Sequence, residues 1–341
     1  MISIECINGL PVEYESFLIE KYDSFLTTCR YMEIYCTSYD IHYMLVSDNS
    51  IVIELLIFGN KGNSSTCFNS FVFIDENIIS ACSKVLIENY PEIEKINFVL
   101  SYNRFELRKS FLVSKSNDHI INLPTTIDDY YLELGRSTRQ HLKNYKVKLL
   151  KDYPQVNFVI KFKEEIEESA IERIVQLNIE RMKFKGIISG KELSDKNEIF
   201  KYVRYYGCVA YIEKDGIILA GSISYILNKR IFLYIIAHDN NYSRYNPGQI
   251  CIVYLIRASI DKRLSTFHFL SGDNEYKTRL LGKPHPMYST AIYKAYTIDY
   301  FIRKIDAYFY RTLIQFRLSK YSKPIRDVVK YYRRNKWRNK N

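Results

Sequence analysis

Apolar and polar positions change period several times along the chain, and the changes mark out its elements. Residues 11–29 space apolar side chains at helical intervals. Tyr43–Val46 and Ile51–Phe58 are dense in β-favouring residues around the polar turn Ser47-Asp-Asn-Ser50, as expected for two paired strands. Phe71–Ile74 is expected to be a short strand, Glu76–Tyr90 an amphipathic helix stopped at Pro91, and Lys95–Leu100 a further strand.

A polar break at Pro124–Asp128 opens a second series. Its periodicity predicts a basic helix over Tyr130–Asp152, a strand over Val156–Lys161, and helices over Glu164–Lys185 and Asn197–Tyr206. Three strands follow, Cys208–Glu213, Ile217–Tyr225 and Arg230–Ile236, with turns at Lys214-Asp-Gly216 and Leu227-Asn-Lys229. A helix over Gly248–Lys262 and a buried strand over Thr266–Leu270 complete the series. Both series run from a helical start through antiparallel strands to a helix and one more strand. That order predicts an α/β (α+β) fold with one module used twice, in residues 1–126 and 127–295. Residues 296–341 follow as a tail, helical from Tyr296 to about Ser319.

Composition changes the picture in one place. The net charge of +11 suggests nucleic acid, but residues 301–341 hold thirteen Lys and Arg against two Asp and account for all of it. A neutral body with a basic appendage is the expectation, the tail being free for contact with an acidic partner or a membrane surface. Seven scattered cysteines form no CxxC pair, which argues against a zinc site or a disulfide framework. No basic start with an apolar run opens the chain, and no stretch reaches the ~18 apolar residues of a membrane span. The expectation is a reduced, cytoplasmic protein without a metal.

Two stretches carry candidate chemistry. Strand 230–236 ends at Ala237-His-Asp239, and a polar loop leads through Arg244, Tyr245 and Asn246 to Pro247 and Gly248 at a helix start, followed by Gln249. Pro suits the first helical turn, Gly admits a ligand close to the backbone, and open amides there favour a phosphate. An ordinary helix start with no ligand is the bland alternative. The second stretch, Ser271-Gly-Asp-Asn-Glu-Tyr-Lys277, follows a buried strand directly. It gathers carboxylates for proton transfer with a phenol and an ammonium for developing charge, or else is a solvated loop.

Together, Ser243–Lys277 resembles the GNAT-like acetyltransferases grouped with cellulose-biosynthesis proteins of the CelD/BcsL type. His268-Phe-Leu-Ser-Gly-Asp-Asn-Glu-Tyr-Lys277 matches that family's strand motif with His268 in place of an Asp. Arg136–Lys143 and Asp215–Ile223 are similar to its basic helix and its turn-and-strand element. The resemblance implies two tandem GNAT-like modules with mainly antiparallel sheets, and acyl transfer from acetyl-CoA to a small-molecule or glycan-precursor acceptor. The acceptor would attack the thioester directly. Pantetheine would lie along Leu233, Ile235 and Ile236, and the pyrophosphate over Arg244, Tyr245, Asn246, Gly248 and Gln249. That loop has one glycine where the family has two. Asp273 would be the base or acceptor-binding carboxylate, Tyr276 the proton donor to the thiolate, and Lys277 a carbonyl-polarising or phosphate-holding cation. His268 is set against a core role between two Phe residues, and His238 and Asp239 are weaker alternates. The resemblance also implies work at the inner membrane, with the tail as a peripheral contact. Related FemAB-like aminoacyltransferases use charged tRNA, for which the basic helix is available; a non-catalytic binding module is the other alternative.

Overall fold

The computed structural model describes residues 2–295, 300, 301, 304 and 305. The helix expected over Tyr296–Ser319 and the basic end of the tail lie outside the described residues, apart from those last four.

The strands are β1 (Ile2–Asn8), β2 (Asp40–Asp48), β3 (Ile51–Lys61), β4 (Ser64–Cys67), β5 (Lys95–Ser101), β6 (Ser110–Asn122), β7 (Asn157–Phe162), β8 (Gly207–Lys214), β9 (Ile217–Leu227), β10 (Arg230–His238), β11 (Thr266–Ser271) and β12 (Lys283–Tyr293). The helices are α1 (Glu15–Tyr22), α2 (Cys29–Tyr35), α3 (Glu76–Asn89), α4 (Ile127–Glu133), α5 (Arg136–Asp152), α6 (Glu168–Phe184), α7 (Lys196–Tyr206), α8 (Pro247–Asp261) and α9 (Glu275–Arg279).

All twelve strands join one sheet in the order β1-β2-β3-β4-β5-β12-β6-β11-β10-β9-β8-β7. From one edge the order is β1-β2-β3-β4-β5-β12; from the other it is β7-β8-β9-β10-β11-β6. The two runs correspond strand for strand, so the mixed α/β fold is built from two equivalent halves. In each half four antiparallel strands precede a fifth that is parallel to the fourth. A parallel neighbour needs a crossover, and α3 and α8 supply it.

The sixth strand of each half has crossed to the other. β6 pairs with β11, β12 pairs with β5, and the two pair with each other at the centre. A chain boundary near residue 126 therefore does not divide the sheet. The halves also share a core. Phe25 lies 5.0 Å from Tyr225 and 5.1 Å from Phe232. The Tyr202 hydroxyl donates to the Phe25 carbonyl at 2.8 Å, and the Tyr35 and Tyr225 hydroxyls meet at 3.3 Å. The chain's 31 tyrosines thus have one clear use: their rings pack in this seam while their hydroxyls find partners.

Four strands escaped sequence reading, β4 among them. β1 and β6 carry mixed polar and apolar residues, and β12 contains Pro284 and Pro286. The strand expected at Phe71–Ile74 is absent; β4, made of Ser64-Ser-Thr-Cys67, takes its place in the sheet. The helix expected over 11–29 is broken at Asp23, which sits in left-handed geometry at φ 46°. That expected over 130–152 is split at Leu134 and Gly135.

Candidate acyl-transfer cleft

β10 and β11 pair only from Arg230/Thr266 to Phe232/His268, although β10 continues to His238. Among the described residues no backbone hydrogen bond joins them beyond that point, and the strands diverge into a wedge. Both strands are irregular where they part. The pairing of β10 with β9 shifts between Leu233 and Ile235, so Tyr234 and Ile235, consecutive in sequence, both pack on the α6–α7 side. Leu233 and Ile236 pack on the α8 side. On β11 the register shifts between His268 and Ser271, with Leu270 in left-handed geometry at φ 57°.

The β11 irregularity would orphan three carbonyls, and Lys277 collects them. Its Nζ donates to the carbonyls of Phe269 (3.2 Å), Leu270 (2.9 Å) and Ser271 (3.1 Å). The side chain is buried, which pushes its pKa down to about 8, against the pull of Asp118 and Asp273. With all three donors spent on backbone, Lys277 fixes the irregular end of β11. The geometry does not give it the expected part in polarising a substrate carbonyl.

His268 is likewise occupied. Its ring lies 4.7 Å from that of Phe232, Nδ1 meets Asp118 Oδ2 at 2.7 Å, and Nε2 meets Thr266 Oγ1 at 3.0 Å. Tyr102 donates to the same Asp118 oxygen at 3.2 Å. This buried network ties β6 to β11 in the core and leaves no free imidazole nitrogen for chemistry. Asp273 is exposed at the other margin; Asn117 donates to it at 2.8 Å, and His119 Nε2 is 3.9 Å away.

Across the wedge, α8 starts after Asn246 turns the chain in left-handed geometry at φ 46°. Pro247 has no N–H, and the amides of Gln249 and Ile250 turn back onto the Asn246 carbonyl at 3.0 and 3.3 Å, so the Gly248 amide, buried at the helix start, has no intrahelical acceptor. A Cβ on Gly248 would sit 3.4 Å from His238 Nδ1 and 3.6 Å from Ile236 Cγ1, which places the helix start against the end of β10. Arg244 and Tyr245 turn away from it. The buried Tyr245 hydroxyl donates to Asp152 Oδ2 at 2.5 Å, and Arg244 pairs with the same carboxylate at 3.2 Å. The Tyr245 hydroxyl is thereby committed, whereas Arg244 is exposed and engaged through NH2 alone. Asp239 caps the preceding turn, accepting from the Asn241 amide at 2.9 Å.

The cations nearest this region come from the last turn of α6 and the residue that follows it, which looked in the sequence like an ordinary helix end. Arg181 donates through NH2 to the Ile236 carbonyl at 3.0 Å, while its buried Nε has no partner. Burial lowers the Arg181 pKa, and the Tyr276 hydroxyl partly offsets this. Lys185 is lowered by burial and by Arg181. Burial, then Arg181 and Lys185, hold the His238 imidazole down at about 4, so it is neutral at pH 7. Tyr276 is half-buried, its ring 6.0 Å from Phe269. Its pKa is raised by burial and drawn back by Arg181. Arg181 thus links the two stretches singled out in the sequence: Tyr276 on one wall, and His238 with Gly248 on the other. Among the described residues no group of three or more His, Cys, Asp or Glu converges as a metal would require.

Residues 207–278, from β8 to α9, match the family described as Acetyltransferase (GNAT) domain. A search of curated proteins by sequence finds no match. Among solved structures the chain is similar to FemX, with 9% identity, 85% of this chain and 97% of that one covered, and a TM-score of 0.62. L-PGS from Bacillus licheniformis gives 12% identity, coverage of 85% and 93%, and a TM-score of 0.54. A tandem GNAT protein from the clavulanic acid biosynthesis pathway gives 7%, 86%, 99% and 0.51. At these identities the likeness is one of fold. The chain has a tandem GNAT-like α/β fold, and its second half carries an acyltransferase domain.

Proposed function

We propose that the β10–β11 wedge binds the pantetheine arm of an acyl-coenzyme A, acetyl-CoA in the simplest case, and passes the acyl group to an amine or hydroxyl. The observation that carries this is the unsatisfied positive charge at the mouth of the wedge. The Gly248 amide, the α8 dipole, Arg181 and Lys185 face one region, and Arg181 has a buried N–H without an acceptor. A pyrophosphate supplies the acceptors this arrangement lacks. In a loop with a single glycine, the cations at the end of α6 do the work that further open amides would do, beside an Arg244 that is paired with Asp152.

The acceptor nitrogen or oxygen attacks the thioester carbon directly, the C–S bond breaks, the thiolate takes a proton, and the proton the acceptor sheds passes to solvent, which restores the donor. Tyr276 is the proton donor best supported by position, with the Arg181 charge beside it favouring release. Asp273, exposed and held by Asn117, fits an acceptor-binding carboxylate better than a buried base. The acceptor class, a cell-envelope or exopolysaccharide precursor, rests on the resemblance of residues 243–277 alone. Isothermal titration of the full chain with acetyl-CoA tests the reading. A binding heat that Arg181→Met reduces at least tenfold supports it. No heat from folded protein overturns it.

A further inference from the structure

A second feature lies outside the wedge, where α8 turns another face to α4 and α5. Leu142, Ile250 and Val253 form an apolar floor there, closed at the sides by Tyr131 and Tyr254, and the groove encloses about 370 Å³. Its rim is cationic: Arg139, Lys143, Lys146 and Arg257 line it, and no carboxylate does. None of the four is in an ion pair among the described residues. Lys146 instead stands over the Tyr254 and Phe158 rings at 5.2 and 5.6 Å. Next in sequence to the lining residues Tyr131 and Lys146, two large apolar side chains face solvent. Leu132 on α4 is 71% exposed, and Val147, four residues beyond Lys143 on the same stripe of α5, is 55% exposed.

Charge excludes the nearest candidate occupant: residues 301–341 of this chain carry +11 themselves and would be repelled. A polynucleotide would use the cations but gain nothing from Leu132 and Val147, which would remain in water. A small soluble phosphate would reach the rim but not those two side chains. A bilayer with anionic headgroups satisfies all three features at once. Phosphates meet the rim, and the apolar side chains enter the headgroup–acyl boundary, as with surface-lying amphipathic helices rich in Lys and Arg.

We propose that the α4–α5–α8 groove docks the protein on an anionic phospholipid surface, with lipid phosphates at Arg139, Lys143, Lys146 and Arg257 and with Leu132 and Val147 inserted beside them. This surface is distinct from the wedge and stands whether or not the wedge binds coenzyme A.

The test is cosedimentation of the full chain with vesicles of phosphatidylcholine, with and without phosphatidylglycerol, at low and high salt. Two double variants, Lys143→Ser/Arg257→Ser and Leu132→Ser/Val147→Ser, are compared with the wild type, tail retained in all three. The wild type is expected to bind only the anionic vesicles. Removing the two cations should weaken binding about 25-fold, at about fivefold for each. The apolar pair should weaken it several-fold with every cation in place, a loss that charge attraction alone cannot produce. Equal binding by all three proteins would assign the membrane contact to the tail and overturn the proposal. So would an absence of wild-type binding. If the cation variant loses an RNA gel shift while the apolar variant keeps full vesicle binding, the groove is a nucleic-acid surface and the proposal fails.

Discussion

The two halves repeat one topology, yet they finish the space between their parallel strands in opposite ways. In the first half the chain leaving β4 closes the wedge. The Asn69 side chain bonds the Leu55 carbonyl at 2.9 Å and the Ile57 amide at 2.8 Å on β3, and the Phe71 amide bonds the Leu100 carbonyl at 2.9 Å at the end of β5. The crossover helix α3 is capped by its own carboxylate, Asp75, at 2.8 Å from the Asn77 amide and 3.4 Å from that of Ile78. In the second half nothing bridges β10 to β11 past Phe232 among the described residues, and α8 begins without a side-chain cap. An anionic cap fills the positive end of one helix; cations from α6 surround the end of the other. The pair teaches that a shared fold does not settle which half reacts. A few residues at a strand end and a helix start decide which wedge is closed.

The contrast can be broken experimentally. The largest effect is expected from Tyr276→Phe, which should lower kcat by about a hundredfold or more as a lost proton donor, with the melting temperature unchanged. Turnover that keeps its rate would remove Tyr276 from the reaction. Arg181→Met should weaken acetyl-CoA binding by roughly ten- to a hundredfold, the range for a charge-assisted hydrogen bond, as read by titration calorimetry.

Asn246→Asp gives α8 the negative start that α3 has, and should weaken acetyl-CoA binding by about fivefold or more through repulsion at the helix end. The control lies in the other half: Asp75→Asn should leave acetyl-CoA binding untouched. Lys277→Met strands the Phe269, Leu270 and Ser271 carbonyls and should cost about 2–5 kcal/mol of unfolding free energy in urea titrations. A rate loss without any stability loss would return Lys277 to the chemistry.

The smallest effect concerns proton binding at His238. Its folded pKa, about 4, lies below the ordinary histidine value, so between about pH 4 and 6.5 the unfolded chain binds the proton and the folded chain does not. Stability should therefore rise with pH across that window, and His238→Gln should flatten this part of the curve. In Arg181→Met the ring should titrate nearer 6.5 by NMR; an unmoved midpoint would show that Arg181 takes no part in setting it.

Much of this was legible in the chain. The alternating apolar runs of β2, β3, β8, β9 and β10, the helices α3, α6 and α7, and the strand–loop–helix passage around Gly248 could be placed because each buries a periodic face of its own. The stretch 271–277 also stood out in the chain, although the sequence could not separate the half-buried Tyr276 from its neighbour Lys277, which turns inward to the backbone. The α6 cations were missed because Arg181 and Lys185 before Gly186 carry the signature of a helix C-terminus, where basic side chains commonly complement the dipole.

Local pattern, then, determined by itself the identity of most elements and their repeated order, since hydrophobic period and turn residues act over a few positions. The exchange of β6 and β12 between halves, the pairing of Arg244 with Asp152, and the closure of one wedge beside the opening of the other were decided by tertiary structure. Each depends on which backbone and charged groups, far apart in the chain, find partners once water is excluded, and no short-range pattern encodes that outcome.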